Sequence, residues 1–266
     1  MNRKVAWRQS AQLVGILLFA LVLKLYYSTA SPDQLRWILA PTTFLVELVS
    51  GPSFQFETHA GYLSSDHTFL IAASCAGVNF LITTFLMLSL RKLWRDRTEK
   101  IRWRFIPTAA LSAYLATLIA NAVRISVALR LQRTPLEIGG LSGNQLHRFE
   151  GIFIYFGFLL LLFVVSEKQN SEKPGGLFRN SLFPLLIYYT TTLGIPLANS
   201  VYHGGTGATD FWEHSVFVLL TPLLLIVPLA AFRFLRGQLF RPACATDHKF
   251  QLVRPKTFGK SIGDSV

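Results

Sequence analysis

Charge, acidic residues and cysteine are all scarce in this sequence, and each shortage excludes a class of protein. Charged residues make up 15% of the 266 residues, whereas hydrophobic residues make up 51% and the mean hydropathy is +0.40. A soluble domain needs more polar surface than this composition supplies. The sequence therefore predicts an integral membrane protein.

Cys75 and Cys244 are the two cysteines of the chain. They allow at most one disulfide, and their spacing fits neither a disulfide framework nor a zinc ribbon. Packing of helices in lipid must therefore hold the fold together. Cys244 lies in a basic C-terminal segment that we expect to face a reducing compartment, and no role is predicted for it.

Acidic residues are also few, since 14 stand against 26 lysines and arginines and leave a net charge of +12. In a soluble chain such a charge would indicate a nucleic-acid partner. Here the basic residues cluster between apolar segments, which is typical of residues that orient a chain in a bilayer. We expect contacts with membrane lipids and no nucleic-acid partner.

Six segments are mostly apolar over roughly the 20 residues that a spanning helix needs. We predict an all-α, polytopic transmembrane helix bundle with spans over residues 10–27, 69–90, 105–130, 149–166, 181–199 and 215–235. A seventh stretch, 35–50, is short, charged and interrupted by Pro41, so we expect an interfacial or re-entrant helix. If that stretch crossed the membrane, every later span would reverse its direction.

The basic residues predict the orientation. With the N-terminus inside, most lysines and arginines fall in cytoplasmic segments, and the outer segments hold only Arg36, Arg130, Arg133 and Arg148. This asymmetry predicts that both termini are cytoplasmic. The first apolar segment lacks a small-residue cleavage site and is expected to remain as an anchor. Residues 1–236 would form one transmembrane domain and 237–266 a loose basic tail.

Two features are expected on the outer face. The alternation over 54–62, followed by the turn SSD and by HTFLI, predicts a small β-hairpin above the membrane. Four histidines map to outer loops, and two acidic residues lie near the last two of them, so an outer-face metalloprotease stays open as a rival hypothesis. The histidines are His59, His67, His203 and His214, and the acidic residues are Asp210 and Glu213. The chain has no HExxH pattern, so we predict no metal site.

Arg124 is the outstanding polar residue of the predicted spans. A charge inside a span costs about 2.5–3.5 kcal/mol on insertion scales, so it is usually directed at a partner or a wet cavity. Asn121 and Thr117 share its helix face, and it lies on the order of 9 Å below the outer end of its span. Water is expected to reach it.

Two further side chains are predicted at the same level of the membrane. Cys75 lies on the order of 8 Å below the outer end of its span, with Asn79 and Thr83 following at four-residue steps on one helix face. His147 opens the next span from the outer surface. Three consecutive spans therefore bring together a thiol, a guanidinium and an imidazole, which indicates a site centred on the cysteine.

Each of these residues also has a structural explanation. A cysteine packs, an asparagine links helices, a histidine lies at the interface and an arginine reaches headgroups. The rival function is a non-catalytic transporter or scaffold that binds an anion or a lipid headgroup through Arg124. An acyl adduct on Cys75 would distinguish the enzyme from this rival.

Three motifs resemble those of the exosortase/archaeosortase family, a group of integral membrane cysteine proteases and transpeptidases. SCAGVNF, NAVR and HRFEG resemble the family's Cys-x-Gly, Asn-x-x-Arg and His-x-x-x-Gly elements, in the family's order and on successive spans. The resemblance covers about residues 54–165, and the two C-terminal spans match in hydropathy alone. Asn79 stands where many members carry a basic residue, which indicates a divergent subfamily with its own substrate signal.

The resemblance implies roles for the motif residues. Cys75 would be the nucleophile and His147 the proton-transfer group, because a thiol needs a base or a cation to become a thiolate. Arg124 would clamp the thiolate or the oxyanion, oriented by Asn121. Asn79, Gly77 and Gly151 would support these groups. No cofactor is implied.

The resemblance also implies a substrate and a location. The substrates would be exported proteins that end in a sorting signal, which consists of a short motif, a transmembrane helix and a basic tail. The acceptor of the cleaved chain would be water or the amine of a lipid or glycan. The enzyme would lie in the bacterial cytoplasmic (inner) membrane with its active site facing outward.

Overall fold

The computed structural model describes residues 3–95, 103–133, 143–168, 177–194, 215–228 and 231. Within these ranges the chain is mostly helical and carries one small sheet. The helices are α1 (Arg3–Thr29), α2 (Arg36–Ser50), α3 (Val78–Arg95), α4 (Phe105–Arg133), α5 (Gly143–Lys168), α6 (Leu177–Tyr189) and α7 (Ser215–Pro228). The predicted tail, 237–266, lies outside the described residues.

Four helical segments are long and apolar enough to cross a membrane. They are Trp7–Thr29, Ala73–Arg95, Phe105–Gln132 and Gln145–Glu167. Two shorter apolar helices, Leu182–Gly194 and Ser215–Pro228, coincide with the last two predicted spans. The prediction of an all-α membrane bundle is confirmed, while six crossings and two cytoplasmic termini stay predictions, because the ends of the last two spans lie outside the described residues.

The exposed side chains of α1 are those expected of a helix in lipid. Leu17, Leu18, Leu21, Val22 and Leu25 are all exposed on this one helix. A water-soluble protein does not leave so large an apolar surface uncovered. In contrast to α1, helix α3 has most of its residues buried. It packs against α1, α4, α5 and α6 and therefore forms the centre of the bundle.

Helix α2 is a 15-residue helix that packs against α4. Its length is about 22 Å, short of the roughly 30 Å hydrocarbon core of a bilayer. Pro41 lies inside it and cannot donate to the carbonyl of Trp37. The Tyr114 hydroxyl of α4 donates to that carbonyl instead, at 2.7 Å. The expectation of a short, non-spanning helix fits this geometry.

The sheet has three antiparallel strands, β1 (Phe54–Glu57), β2 (Gly61–Ser64) and β3 (Leu70–Ile71), in the order β1-β2-β3. The predicted hairpin is present, but its strands were misplaced, since 54–62 does not form one strand. A tight turn at 58–60 folds β2 back onto β1. Gly61 (φ +125°) begins β2 in a conformation that other residues rarely adopt, and a Cβ there would clash with the carbonyl oxygen of Ile71 on the neighbouring β3.

The loop between β2 and β3 is ordered by Asp66. The Asp66 carboxylate accepts hydrogen bonds from the Ser64 hydroxyl at 2.6 Å and from the Thr68 amide at 3.2 Å. These bonds lower the pKa of Asp66 to about 2. The loop is also held against α4, because the side-chain Nε2 of Gln132 donates to the backbone carbonyl of Thr68 at 3.1 Å.

Candidate active site

Cys75, Arg124 and His147 line one cavity of about 500 Å³. Its walls come from the loop before β3, from α4 and from the start of α5. The remaining lining residues are Thr68, Phe69, Leu70, Ile125, Ala128, Leu131, Gln132 and Leu146. We call this space the Cys75 cavity. The three residues that the sequence singled out thus share one cavity, while their chemical roles stay predictions.

Cys75 lies on a short 3-10 helix, Ala73–Ala76, and not on α3. Its amide donates to the carbonyl of Ala72 at 2.9 Å, and the left-handed Gly77 (φ +72°) then ends the turn. The thiol is free and partly exposed. The expectation of one continuous helix over 69–90 was therefore wrong at its outer end, because Gly77 breaks the helical path before α3 begins.

Gly77 is required by its conformation and by its neighbours. A Cβ at this position would lie 3.2 Å from Asn121 Cγ, 3.3 Å from Thr117 Cγ2 and 3.3 Å from the Tyr155 hydroxyl oxygen. A positive φ disfavours any other residue as well. The glycine thus lets the Cys75 turn approach α4 and α5 closely, which gives the Cys-x-Gly pattern a physical reason.

Asn121 connects the three helical segments around the cavity. Its side chain is fully buried, and its Nδ2 donates to the carbonyl oxygen of Cys75 at 2.6 Å. Its Oδ1 accepts from the Tyr155 hydroxyl at 2.8 Å and from Arg124 Nε at 3.3 Å. One amide therefore orients both the turn that carries the thiol and the guanidinium.

Arg124 extends from α4 toward the thiol across the surface of α5. Its guanidinium interacts with the Cys75 side chain and with Glu150. Its guanidinium carbon lies 5.5 Å from the centre of the Tyr155 ring. A Cβ on Gly151 would touch Arg124 Cδ at 3.6 Å, so the absent side chain leaves the arginine a path along α5.

His147 lies in the second turn of α5, and half of its side chain is exposed. Its Nδ1 lies 3.4 Å from Oε2 of Glu150, whose side chain is only 7% exposed. The imidazole therefore borders the Cys75 cavity while one of its nitrogens faces a buried carboxylate.

Asn79 does not join this group. It is exposed on α3, is absent from the lining of the Cys75 cavity, and accepts a hydrogen bond from Lys24 Nζ of α1 at 2.8 Å. Thr83 donates to the Asn79 carbonyl at 2.8 Å, and its hydroxyl shares a 2.9 Å hydrogen bond with Thr191 in the π-helical turn Thr190–Gly194 that follows α6. The predicted polar stripe of Cys75, Asn79 and Thr83 was therefore wrong, because Cys75 is not on α3.

Sequence reasoning missed Tyr155 and Glu150. Both belong to α5, and Glu150 is a charged residue inside a predicted span, which is the signal that singled out Arg124. Tyr155 follows Gly151 by four residues, so helical spacing puts both on one face. Glu150 stands at a variable position of the HRFEG motif, and Tyr155 lies after its end, so the motif pattern singles out neither residue.

The histidines of the rival metalloprotease are only partly described. His59 binds Asp33, with Nδ1 3.2 Å from the carboxylate, and His67 occupies the loop before β3. Within the described ranges no group of three or more histidine, cysteine, aspartate or glutamate residues is arranged to hold a metal. His203, Asp210, Glu213 and His214 lie outside those ranges.

The sequence matches a known family. A profile of the transmembrane exosortases matches residues 3–164, which is more than half of the chain and includes α1 as well as the three motifs. No curated protein and no solved structure matches the chain. Its apolar spanning helices and this match agree, and the chain belongs to the transmembrane exosortase family.

Proposed function

We propose that this protein is a cysteine protease or transpeptidase that cleaves a C-terminal sorting signal from exported proteins. The single observation that carries the proposal is the meeting of Cys75, Arg124 and His147 in one cavity of a transmembrane exosortase. Membership of the family supports a membrane-embedded sorting enzyme, and the cavity supplies the groups that such an enzyme needs.

The proposed reaction starts at the thiol. His147 takes the proton of Cys75, and the sulfur attacks the carbonyl carbon of the scissile peptide bond. The tetrahedral intermediate then collapses, the carbon–nitrogen bond breaks, and His147 returns the proton to the leaving amine. A thioester between Cys75 and the substrate remains. An amine or a water molecule attacks this thioester, regenerates the thiol and releases the product.

Arg124 suits the charge that develops in this reaction. Arginine keeps its proton, so it cannot act as the base, but its donors can stabilise a thiolate or an oxyanion. Its contacts with Asn121 and Tyr155 fix the guanidinium before substrate arrives. A group that is already oriented does not have to reorganise as the charge forms, which is the main advantage of such sites.

The family and the lipid setting support a proposed substrate class, exported proteins with a C-terminal sorting signal. The signal would comprise a short motif, a transmembrane helix and a basic tail, and the helix would lie beside the bundle in the bilayer. The cavity would face outward from the bacterial cytoplasmic membrane, so the cut would fall just outside the hydrocarbon core. The acceptor would be water or the amine of a lipid or glycan.

The proposal is tested by intact-mass analysis. A candidate substrate from a neighbouring gene, with the three-part signal, is co-expressed with the wild type, with Cys75→Ala and with Cys244→Ser. We expect loss of the C-terminal helix with the wild type and with Cys244→Ser, and no cleavage with Cys75→Ala. Added mass on the new C-terminus would identify the acceptor.

The opposite results are equally clear. Cleavage that survives in Cys75→Ala but not in Cys244→Ser would mean that Cys75 is the wrong cysteine. No cleavage by any version, together with no acyl adduct on Cys75, would favour a transporter or scaffold in which Arg124 binds an anion.

A further inference from the structure

Glu150 is a buried carboxylate to which the proposed reaction gives no role. It is 7% exposed, and within the described part of the chain neither of its oxygens accepts a hydrogen bond. A carboxylate in such surroundings is costly unless a partner compensates for its burial. Its carboxylate oxygen Oε2 lies 3.4 Å from Nδ1 of His147, which forms an ion pair with it when the imidazole is protonated.

The groups around Glu150 are those of the Cys75 cavity. His147 precedes it by three residues on the same face of α5, and the Arg124 guanidinium of α4 lies within electrostatic range of it. The next residue, Gly151, lies against the Arg124 side chain. Glu150 is therefore a buried neighbour of two groups that line the Cys75 cavity, the imidazole of His147 and the guanidinium of Arg124.

The distance to His147 is just longer than a good hydrogen bond. Half of the imidazole is exposed, so its ring has room for the small rotation that would close the 3.4 Å gap. A neutral imidazole carries a proton on only one nitrogen, and an acceptor beside Nδ1 selects the tautomer with the proton there. Nε2 is then left unprotonated and able to take a proton.

We propose that Glu150 is a positioning residue that holds the Nδ1 proton of His147 and leaves Nε2 as the base for Cys75. This inference rests on the proposed function for its chemical meaning. The same carboxylate balances part of the Arg124 charge, so it stabilises the two groups on either side of it. Triads of nucleophile, histidine and carboxylate use the same division of labour.

The test compares three substitutions. Glu150→Met keeps the size of the side chain but removes the acceptor, and its apolar character suits a buried position in a membrane helix. Glu150→Gln keeps an acceptor oxygen but adds an amide donor. A donor beside Nδ1 of His147 favours the Nε2–H tautomer, in which Nδ1 accepts. Glu150→Asp keeps the carboxylate on a shorter side chain and serves as the conservative rescue.

The first readout needs no substrate. Nitrogen-15 spectra of histidine-labelled protein report the tautomer, and His147→Ala assigns the signal. We expect the Nδ1–H form in the wild type and in Glu150→Asp, and the Nε2–H form in Glu150→Met and Glu150→Gln. An Nε2–H wild type, or a tautomer that is the same in all four proteins, would overturn the proposal.

The second readout is the rate of processing. We expect kcat to fall about 100-fold in Glu150→Met with little change in KM, and to recover in part in Glu150→Asp. Alkylation of Cys75 by iodoacetamide should be fastest in the wild type, slower in Glu150→Asp and slowest in Glu150→Met. Equal rates in the wild type and in Glu150→Met would contradict the positioning role.

The two readouts separate the two proposals. A tautomer change without any substrate cleavage by the wild type would retain the role of Glu150 and count against the peptidase. Cleavage by the wild type with no effect of Glu150→Met on tautomer or rate would retain the peptidase and remove Glu150 from it.

Discussion

The side-chain amide of Asn121 donates a 2.6 Å hydrogen bond to the backbone carbonyl of Cys75, so a residue in the middle of α4 fixes the turn that carries the thiol. The residues are separated by 46 positions in the chain. Through its Oδ1, the same side chain contacts Tyr155 and Arg124. The geometry of the Cys75 cavity therefore depends on one buried amide.

Replacement of Asn121 by aspartate should separate its donor contact with Cys75 from its acceptor contacts with Tyr155 and Arg124. Asn121→Asp keeps oxygens that accept from Tyr155 and Arg124 but loses the donor to the Cys75 carbonyl. We expect a loss of about 1–3 kcal/mol in the free energy of unfolding and a clear fall in substrate processing. Processing by co-expression and thermal unfolding in detergent measure the two effects. Asn79→Asp is the matched control, because exposed Asn79 accepts from Lys24 through a side-chain oxygen that aspartate keeps. An equal loss in both variants would refute the role of Asn121.

Gly77 and Gly51 allow two costs of replacing a glycine to be separated, the backbone strain and the steric clash of the new side chain. Both have a positive φ, +72° and +84°, but a Cβ on Gly51 meets nothing within 4 Å, whereas one on Gly77 meets three side chains. Gly51→Ala should cost about 1 kcal/mol from the left-handed conformation alone. Gly77→Ala should cost more and should also impair processing, because the Cys75 turn must move away from α4.

Thermal unfolding and processing of the two alanine variants check this prediction. Gly51→Ala should process substrate like the wild type at a slightly lower melting temperature. If Gly77→Ala proves no worse than Gly51→Ala in both measurements, the close approach at Gly77 is unimportant.

Arg124→Lys should abolish or nearly abolish processing although the charge is kept. A lysine has a single ammonium and cannot contact Asn121, the Tyr155 ring and the Cys75 side chain with the geometry of a planar guanidinium. We expect a fall of at least about 100-fold in the rate of cleavage with unchanged membrane insertion. Arg148→Lys, at an exposed position of α5, is the control. Full activity of Arg124→Lys would show that a simple positive charge is enough.

Asp66 gives the loop before β3 a defined dependence on pH. Its pKa is lowered to about 2 from an ordinary value of 3.8 by hydrogen bonds from Ser64 and Thr68. Because the folded value is the lower one, the stabilisation is complete above about pH 4 and is lost as the pH falls through 2. Carbon-13 spectra of aspartate-labelled protein, assigned with Asp66→Asn, should show this titration. A midpoint near the ordinary value would mean that the loop is not held by the carboxylate.

The long apolar segments predicted four of the helices well. α1, α4 and α5 cover their predicted spans and extend them by a few residues at one or both ends. α3 begins at Val78 and not at 69, because the chain before it forms β3, the 3-10 helix Ala73–Ala76 and the left-handed Gly77. Hydropathy and helical length are local properties, and a lipid environment permits few alternatives for an apolar backbone. The hairpin was predicted from alternation, but the turn at 58–60 was not, because THA carries no strong turn pattern.

The residues of the candidate site were predicted less evenly. Cys75, Arg124 and His147 were found because each is chemically distinct in an apolar or interfacial setting, and they do line one cavity. Asn79 was assigned to the same face as Cys75 on the assumption of a continuous helix, and that assumption fails at Gly77. Glu150 was overlooked although it carries a charge within a span.

The sequence by itself determined that this chain is a helical membrane protein and which family it belongs to, because apolar length and short motifs are written in consecutive residues. The tertiary structure decided which polar groups meet. Helix rotation and the break at Gly77 decide three of these contacts. They are the hydrogen bonds from Asn121 to Cys75 and from Lys24 to Asn79, and the contact between Glu150 and His147. Such geometry is set by the packing of whole helices, which no single segment encodes.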